Sequence, residues 1–151
     1  MTITMTNLQN AFGGESQAYT TYRYFAKIAR AEGHEDIAKH FEATAEQELL
    51  HAHGHLELII GKIDTKEALE RAIAGEKHEY EVMYPTMEAQ AIAEGNEEAA
   101  KEAAEQTAES KEHAEQFQKI FEKAKKRFSA LAKVEKKHAE AYQNKLNTLT
   151  E

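Results

Sequence analysis

The chain has 151 residues, of which 41 % are hydrophobic and 30 % are charged, and its net charge is −8. These values suit one domain with a solvated surface, and the acidic balance argues against a nucleic-acid or membrane partner. The absence of cysteine excludes disulfides, thiol catalysis and cysteine-ligated metals. The sequence starts without a signal-peptide pattern and has no long apolar run, so we expect a cytoplasmic protein.

The residue pattern predicts an all-α chain. One proline, seven glycines and abundant alanine, glutamate and lysine favour helices throughout. Apolar residues at helical spacing predict helix A over 7–32, helix B over 35–60 and helix C over 65–94, followed by helical material over 97–149. The single proline, Pro85, is expected to kink helix C.

The expected helix ends are marked by glycines and by capping residues. Gly33, Gly61 and Gly95 follow the three predicted helices as stop signals. Asp64 and Asn96 are expected N-caps, because their side-chain oxygens can accept from the first free backbone N–H groups.

The two halves of the chain resemble each other. The segment HFEATAEQELLHA (40–52) matches RFSALAKVEKKHA (127–139) without a gap, and GGESQAY (13–19) resembles AGEKHEY (74–80). This repeat predicts a four-helix bundle of two related helical hairpins, with an extended fourth-helix region.

The second half is the longer one. His51 lies 18 residues after Gly33. His138 lies 43 residues after Gly95, an excess of 25. The segment HAEQFQKIF, which begins at His113, resembles HAEAYQNKL, which begins at His138. A spacing of 25 residues is about seven helical turns, so a local duplication would preserve the helix face.

Two complete Glu-x-x-His units occupy matching positions of the repeat, Glu48–His51 and Glu135–His138. Residues three apart share a helix face, so each pair can reach one metal ion. A third copy, TAESKEHA (107–114), carries serine three residues before its histidine, His113. We interpret it as a duplicated unit that has lost its ligand role; if His113 binds metal instead, His138 lies outside the site.

Further carboxylates complete the pattern. Helix C offers Glu76 and Glu79 at the same three-residue spacing, and helix A offers Glu15 at the position that matches Glu76. Carboxylates with a few imidazoles suit iron or manganese, and this arrangement is that of ferritin-like dimetal proteins. A single pair occurs by chance on a solvated helix, but the joint pattern favours metal binding. Tyr22 and Tyr84 follow the first glutamates of their halves by two turns, either as core residues or beside the metals.

These residues resemble the diiron domain of the rubrerythrin family. The resemblance is carried by NLQNAFGGESQAYTTYRYFAKIARAEG, AEQELLHAHGH, AIAGEKHEYEVMYP and VEKKHAEAY, and it covers most of the chain outside 97–122. It implies a single rubrerythrin-like four-helix-bundle domain over 1–151, with about 97–126 an additional helical segment. Because the chain has no cysteine, it is similar to short, sulerythrin-like members without a rubredoxin domain. The implied iron ligands are Glu15, Glu48, His51, Glu76, Glu79, Glu135 and His138.

The resemblance also implies roles and chemistry. Glu48 and Glu135 would bridge the metals, and Tyr22 and Tyr84 would lie beside them. The implied activity is reduction of hydrogen peroxide to water in oxidative-stress defence, with dioxygen as another oxidant. Electrons would come from a rubredoxin or its reductase, and the cofactor would be two iron ions, with manganese or zinc able to replace them in purified protein. The alternatives are a ferroxidase or iron-handling protein and a non-enzymatic metal-binding helical bundle.

The link between helices B and C is too short for a long crossover. About five residues reach less than ~20 Å, whereas a bundle of 25-residue helices is about 37 Å long. The chain is therefore expected to form either an up-down-up-down bundle or a homodimer that exchanges hairpins, and the family resemblance favours the domain-swapped homodimer.

Overall fold

The computed structural model describes residues 2–148, which are helical apart from short connections, and it confirms the all-α class. Two units follow each other along the chain, with the boundary between Ile63 and Asp64. None of the helices in the described range is long and apolar enough to cross a membrane. The elements are α1 (Ile3–Ala31), α2 (Glu35–Ile60), α3 (Thr65–His78), a π-helical segment (Glu79–Met83), α4 (Tyr84–Glu94) and α5 (Glu97–Asn147).

The predicted helix ends are confirmed except at the beginning of α1. Asp64 accepts from the Glu67 N–H at 2.8 Å, and Asn96 accepts from the Ala99 N–H at 3.1 Å, as capping residues do. The α1 helix begins four residues earlier than predicted, because Thr2 caps it by accepting from the Met5 N–H at 3.2 Å.

The three stop glycines all have left-handed backbone angles. The φ values of Gly33, Gly61 and Gly95 are 86°, 68° and 74°, which other residues adopt only with strain. Because each of these glycines follows a helix, it ends that helix at the predicted place.

The long helix predicted over 65–94 contains a π-helical segment just before the proline. Residues Glu79–Met83 form this segment, and Pro85 lies in the first turn of α4, where its missing N–H is least costly. A π turn holds one residue more than an α turn. The extra residue explains a shift in the half-repeat, because Glu15 and Glu76 are 61 apart whereas Gly33 and Gly95 are 62 apart.

The first unit is the antiparallel hairpin of α1 and α2. Ala26 and Ala29 pack against Ala38, with Phe41 partly buried beside them. The small side chains allow the two backbones to approach closely. Arg30 joins the helices at the turn, since its guanidinium donates to Glu35 at 3.0 Å and to Glu42 at 2.9 Å.

The second unit packs α3 and α4 against the N-terminal half of α5. Ala103, Ser110 and Ala114 are buried on this face of α5. From residue 125 to residue 148, by contrast, every residue of the chain is exposed. The predicted additional segment 97–126 is part of a continuous 51-residue helix, and its first part belongs to the packed half of that helix.

Candidate metal centre

The first candidate cluster lies within the α1–α2 hairpin and consists of Glu15, Glu48 and His51. One ligand atom from each of the three residues lies within 4.8 Å of the others. Glu48 Oε2 and His51 Nδ1 are 3.0 Å apart, as the three-residue spacing predicts. Both glutamates are partly buried, while the imidazole is exposed.

The donor set of the first cluster fits a divalent transition metal. Two carboxylates and one imidazole are ligands that iron, manganese and zinc accept. Two carboxylates so close together repel each other when both are ionised, and a bound cation removes that repulsion. The sequence predicts that Glu15, Glu48 and His51 converge. In the structure these three residues lie close together within this hairpin.

The second cluster lies within the α3–α5 unit and consists of Glu76, Glu79, Ser110 and His113. The Ser110 hydroxyl donates to Glu79 Oε2 at 3.0 Å. His113 Nδ1 lies 3.5 Å from Glu76 Oε2. The serine and histidine belong to the TAESKEHA copy, which the sequence analysis interprets as having lost its role as a metal ligand.

One carboxylate oxygen of the second cluster lacks a hydrogen-bond donor among the described residues. Glu76 Oε2 is buried, and the part of the chain that the structure describes offers it no hydrogen-bond partner. His113 lies within ion-pairing distance of this oxygen, but not in hydrogen-bonding geometry. A buried carboxylate oxygen without a donor is costly, and a cation would satisfy it.

Tyr84 lies close to the second cluster, at the beginning of α4. Burial raises the pKa of its phenol, and the negative charges of Glu79 and Glu76 raise it further. The phenol therefore stays protonated at neutral pH, and its hydroxyl can donate a hydrogen bond. Tyr22, in the first unit, instead packs in an aromatic group, with ring centroids 6.1 Å from Phe41 and 6.5 Å from Phe25.

Glu135 and His138 lie apart from the second cluster within this unit. Both are exposed on the distal part of α5, 25 residues beyond Ser110 and His113, which is about 37 Å along a continuous helix. Within this unit they do not lie beside Glu76. Their role as metal ligands, with Glu135 as a bridge, stays a prediction.

Hairpin geometry explains why His113 lies beside Glu76 in this unit. In an antiparallel pair of helices, residues equally far from the turn lie opposite each other. Glu76 is 19 residues before Gly95 and His113 is 18 after it. In the first hairpin, Glu15 and His51 are each 18 residues from Gly33. The equal distance from the turn favours His113 as the residue beside Glu76. The closer sequence match of 127–139 to 40–52 favours His138 instead.

Comparisons with known proteins agree with this division of α5. The rubrerythrin family model matches residues 6–121. The match therefore includes the second cluster and ends before the exposed half of α5.

Individual relatives are similar to the chain over a comparable length. Rubrerythrin from Porphyromonas gingivalis is 42 % identical over 107 residues, covering 61 % of this chain and 52 % of the relative. Rubrerythrin from Nitratidesulfovibrio vulgaris is 41 % identical over 105 residues, covering 61 % of this chain and 55 % of the relative. The chain thus spans about half the length of the curated relatives it matches.

The similar solved structures include nigerythrin in a mixed-valent state, which is 31 % identical to the chain and has a TM-score of 0.42. The match covers 83 % of this chain and 68 % of the nigerythrin chain.

The family model covers most of the chain and includes all four residues of the second cluster. The resemblance stated from the motifs is confirmed: the chain belongs to the rubrerythrin family.

Proposed function

We propose that the protein is a non-haem diiron oxidoreductase that reduces hydrogen peroxide to water. The observation that carries the proposal is the pair of carboxylate–histidine clusters at matching positions of the half-repeat. One of them brings three donors within 4.8 Å of each other, and the other holds a buried carboxylate oxygen without a partner. Carboxylates mixed with imidazoles favour iron or manganese, and the family membership favours iron.

The proposal assigns one metal ion to each cluster, for which the sequence repeat is the support. Glu15, Glu48 and His51 would hold one ion. The second ion would take Glu76 and Glu79, with His113 as its imidazole ligand. When bound, two ferrous ions would supply the two electrons that reduction of peroxide requires.

The chain's own residues supply protons and orientation. Reduction of one peroxide to two waters takes two electrons and two protons. Tyr84 is the proposed proton donor, because its hydroxyl is protonated and lies near the carboxylates of Glu79 and Glu76. Ser110 fixes one oxygen of Glu79 by hydrogen bonding, which restricts how that carboxylate can turn. Re-reduction requires a separate redox protein, such as a rubredoxin or its reductase.

Stopped-flow oxidation of the anaerobic, ferrous-loaded protein tests the activity. We expect hydrogen peroxide to oxidise the protein faster than dioxygen does. Oxidation by dioxygen with no faster reaction with peroxide would contradict the peroxidase proposal. Sustained turnover of excess ferrous ion would then favour a ferroxidase, and failure to bind iron would favour a non-enzymatic bundle.

A homodimer is the proposed assembly. In the described part of the chain the buried residues are eight alanines and one serine, and no large side chain is fully buried. In the first unit Tyr24, Leu50 and Leu58 are each at least 60 % exposed. Apolar surface of this extent favours association, and exchange of hairpins between chains stays the predicted mode. A monomer mass by light scattering would contradict it.

A further inference from the structure

A cavity separate from the second cluster lies along the contact between α3 and α5. Glu76 and His113 of the cluster line one cavity of this unit. A different cavity, with a volume of about 270 Å³, is lined by residues of α3, the π-helical segment and α5, among them Ile73, Lys77, Tyr80, Lys111, Ala114 and Glu115. We call this second cavity the lysine groove.

The groove and the cluster are adjacent at every position. Each of the four cluster residues is directly followed along the chain by a residue that lines the groove, in the pairs Glu76–Lys77, Glu79–Tyr80, Ser110–Lys111 and His113–Ala114. Consecutive residues of a helix lie about 100° apart around its axis. The turns that present the cluster on one side of the two helices therefore present the groove on the neighbouring side.

The first half of the chain has no counterpart of the two lysines. The four corresponding positions, each directly after Glu15, Ala18, Glu48 or His51, hold uncharged residues, namely Ser16, Tyr19, Leu49 and Ala52. The tyrosine and the alanine of the groove are thus repeated, whereas its two lysines are not. Because the α1–α2 hairpin packs without lysines at these positions, helix packing does not require them.

The positive charges of the groove are accessible to a partner. Lys111 is exposed and makes no ion pair or hydrogen bond within the part of the chain that the structure describes. Lys77 Nζ lies 3.6 Å from Glu81 Oε1 with 57 % of its side chain exposed, so this pair is weak. Farther along α5, residues 122–147 carry eight basic and three acidic side chains, although the whole chain has 19 and 27. Such a region attracts an acidic surface.

We propose that the lysine groove is the docking site of the protein that returns electrons to the second cluster, and that this partner is an acidic one-electron carrier. The inference rests on the proposed function. Reduction of one peroxide oxidises two ferrous ions to ferric, and two electrons from the carrier, delivered one at a time, restore them without forming or breaking a bond. Electron transfer slows steeply with distance, and a carrier in the groove contacts Tyr80, which is bonded through its peptide nitrogen to Glu79.

Cross-linking tests the docking without measuring activity. The probe is a rubredoxin with a net negative charge, treated together with the protein with a carbodiimide, which joins a lysine amine to a carboxylate in direct contact. We expect peptide mapping to find rubredoxin linked to Lys77 and Lys111. Lys101 is the matched control, since it is exposed on the same helix ten residues, or about 15 Å, from Lys111. Absent links, links of equal yield at Lys101, or links displaced by equimolar citrate would overturn the inference.

Charge variants give a second test with a predicted sign. Lys77→Glu combined with Lys111→Glu should lower the rate at which reduced rubredoxin reduces the ferric protein by at least about tenfold. Glu115→Gln removes a negative charge from the groove and should raise this rate. Lys101→Glu should change it little at ~0.15 M salt, where the Debye length is ~8 Å. These positions are exposed, so circular dichroism should show intact helices in each variant.

Reduced methyl viologen separates the docking from the proposed function. This small cation needs no protein docking site, so it should reduce the ferric wild type and the double lysine variant at similar rates. A double variant that rubredoxin reduces as fast as the wild type would overturn the docking site. A wild-type protein that binds no iron would instead contradict the proposed function, and the cross-linking result would still decide the docking.

Discussion

Ser110 donates a hydrogen bond from α5 to Glu79, at 3.0 Å, from the position that corresponds to Glu48 in the other half of the chain. The second cluster therefore has a hydroxyl where the repeat predicts a carboxylate. Glu79 supplies the second carboxylate of this cluster, so both clusters offer two carboxylates and one imidazole, and a carboxylate at position 110 would add a third.

An added carboxylate should strengthen the second metal site. We expect Ser110→Glu to tighten binding of the second ion by about tenfold, or about 1.4 kcal/mol. The same change should lower the melting temperature of the metal-free protein, since Ser110 is only 3 % exposed and a buried unpaired carboxylate is costly. Anaerobic titration with Co²⁺ and thermal unfolding measure the two effects. The control, Ser110→Ala, should not tighten binding; weaker binding in Ser110→Glu would contradict the assignment.

Removing a carboxylate from the first cluster should weaken metal binding without destabilising the metal-free protein. Glu48→Gln should reduce tightly bound iron from two ions per chain to one or none, measured by elemental analysis after anaerobic loading. Because Glu15 and Glu48 repel each other in the metal-free state, that state should be as stable as the wild type or more so. Glu57→Gln, an exposed change on the same helix, is the control. Full iron content in Glu48→Gln would remove this residue from the site.

Loss of the Tyr84 hydroxyl should slow peroxide reduction but leave the metal in place. General acid catalysis contributes roughly 10²–10⁴-fold, so we expect Tyr84→Phe to lower the rate by at least about 10²-fold. Stopped-flow kinetics with matched iron content measures the effect. Tyr22→Phe, in the aromatic group of the first unit, serves for comparison, and an unchanged rate in Tyr84→Phe would show that another group delivers the proton.

The close approach of α1 and α2 depends on alanines spaced by seven residues. Ala38 and Ala45 are fully buried and Ala52 is 2 % exposed. A larger side chain at Ala45 must push the helices apart, so Ala45→Leu should reduce the free energy of unfolding by about 1–3 kcal/mol. Ala43→Leu, which is exposed on the same helix, should change it little. Chemical denaturation measures both, and equal stability of the two variants would contradict the packing.

The contribution of Glu42 to stability should depend on pH. The hydrogen bond from Arg30 lowers the pKa of Glu42 below its ordinary value. A group whose pKa is lower in the folded state stabilises the fold above its unfolded pKa, near ~4.3, and loses this contribution as pH falls through the folded pKa. The difference in melting temperature between wild type and Glu42→Gln should therefore be constant near pH 7 and shrink below about pH 4. Added salt should reduce it as well, because the pair is exposed.

The helices, their caps and the pairs of ligand residues three positions apart were predictable from the sequence, because each depends on local spacing. Glycine after a helix and asparagine or aspartate before one act within a single turn, and Glu48 and His51 share a helix face whatever the tertiary structure. The π-helical segment was not predicted, since a one-residue insertion leaves the apolar pattern nearly unchanged.

Tertiary structure decided which histidine of α5 lies beside Glu76. His113 and His138 are 25 residues apart, and about seven turns separate them, so helical periodicity places them on one face and cannot distinguish them. The hairpin of α4 and α5 distinguishes them, because a residue can lie opposite Glu76 only if it is as far from the turn at Gly95. Local spacing in the sequence indicates that the ligands are carboxylates and imidazoles. The length of the antiparallel hairpin places Ser110 beside Glu79 and His113 beside Glu76.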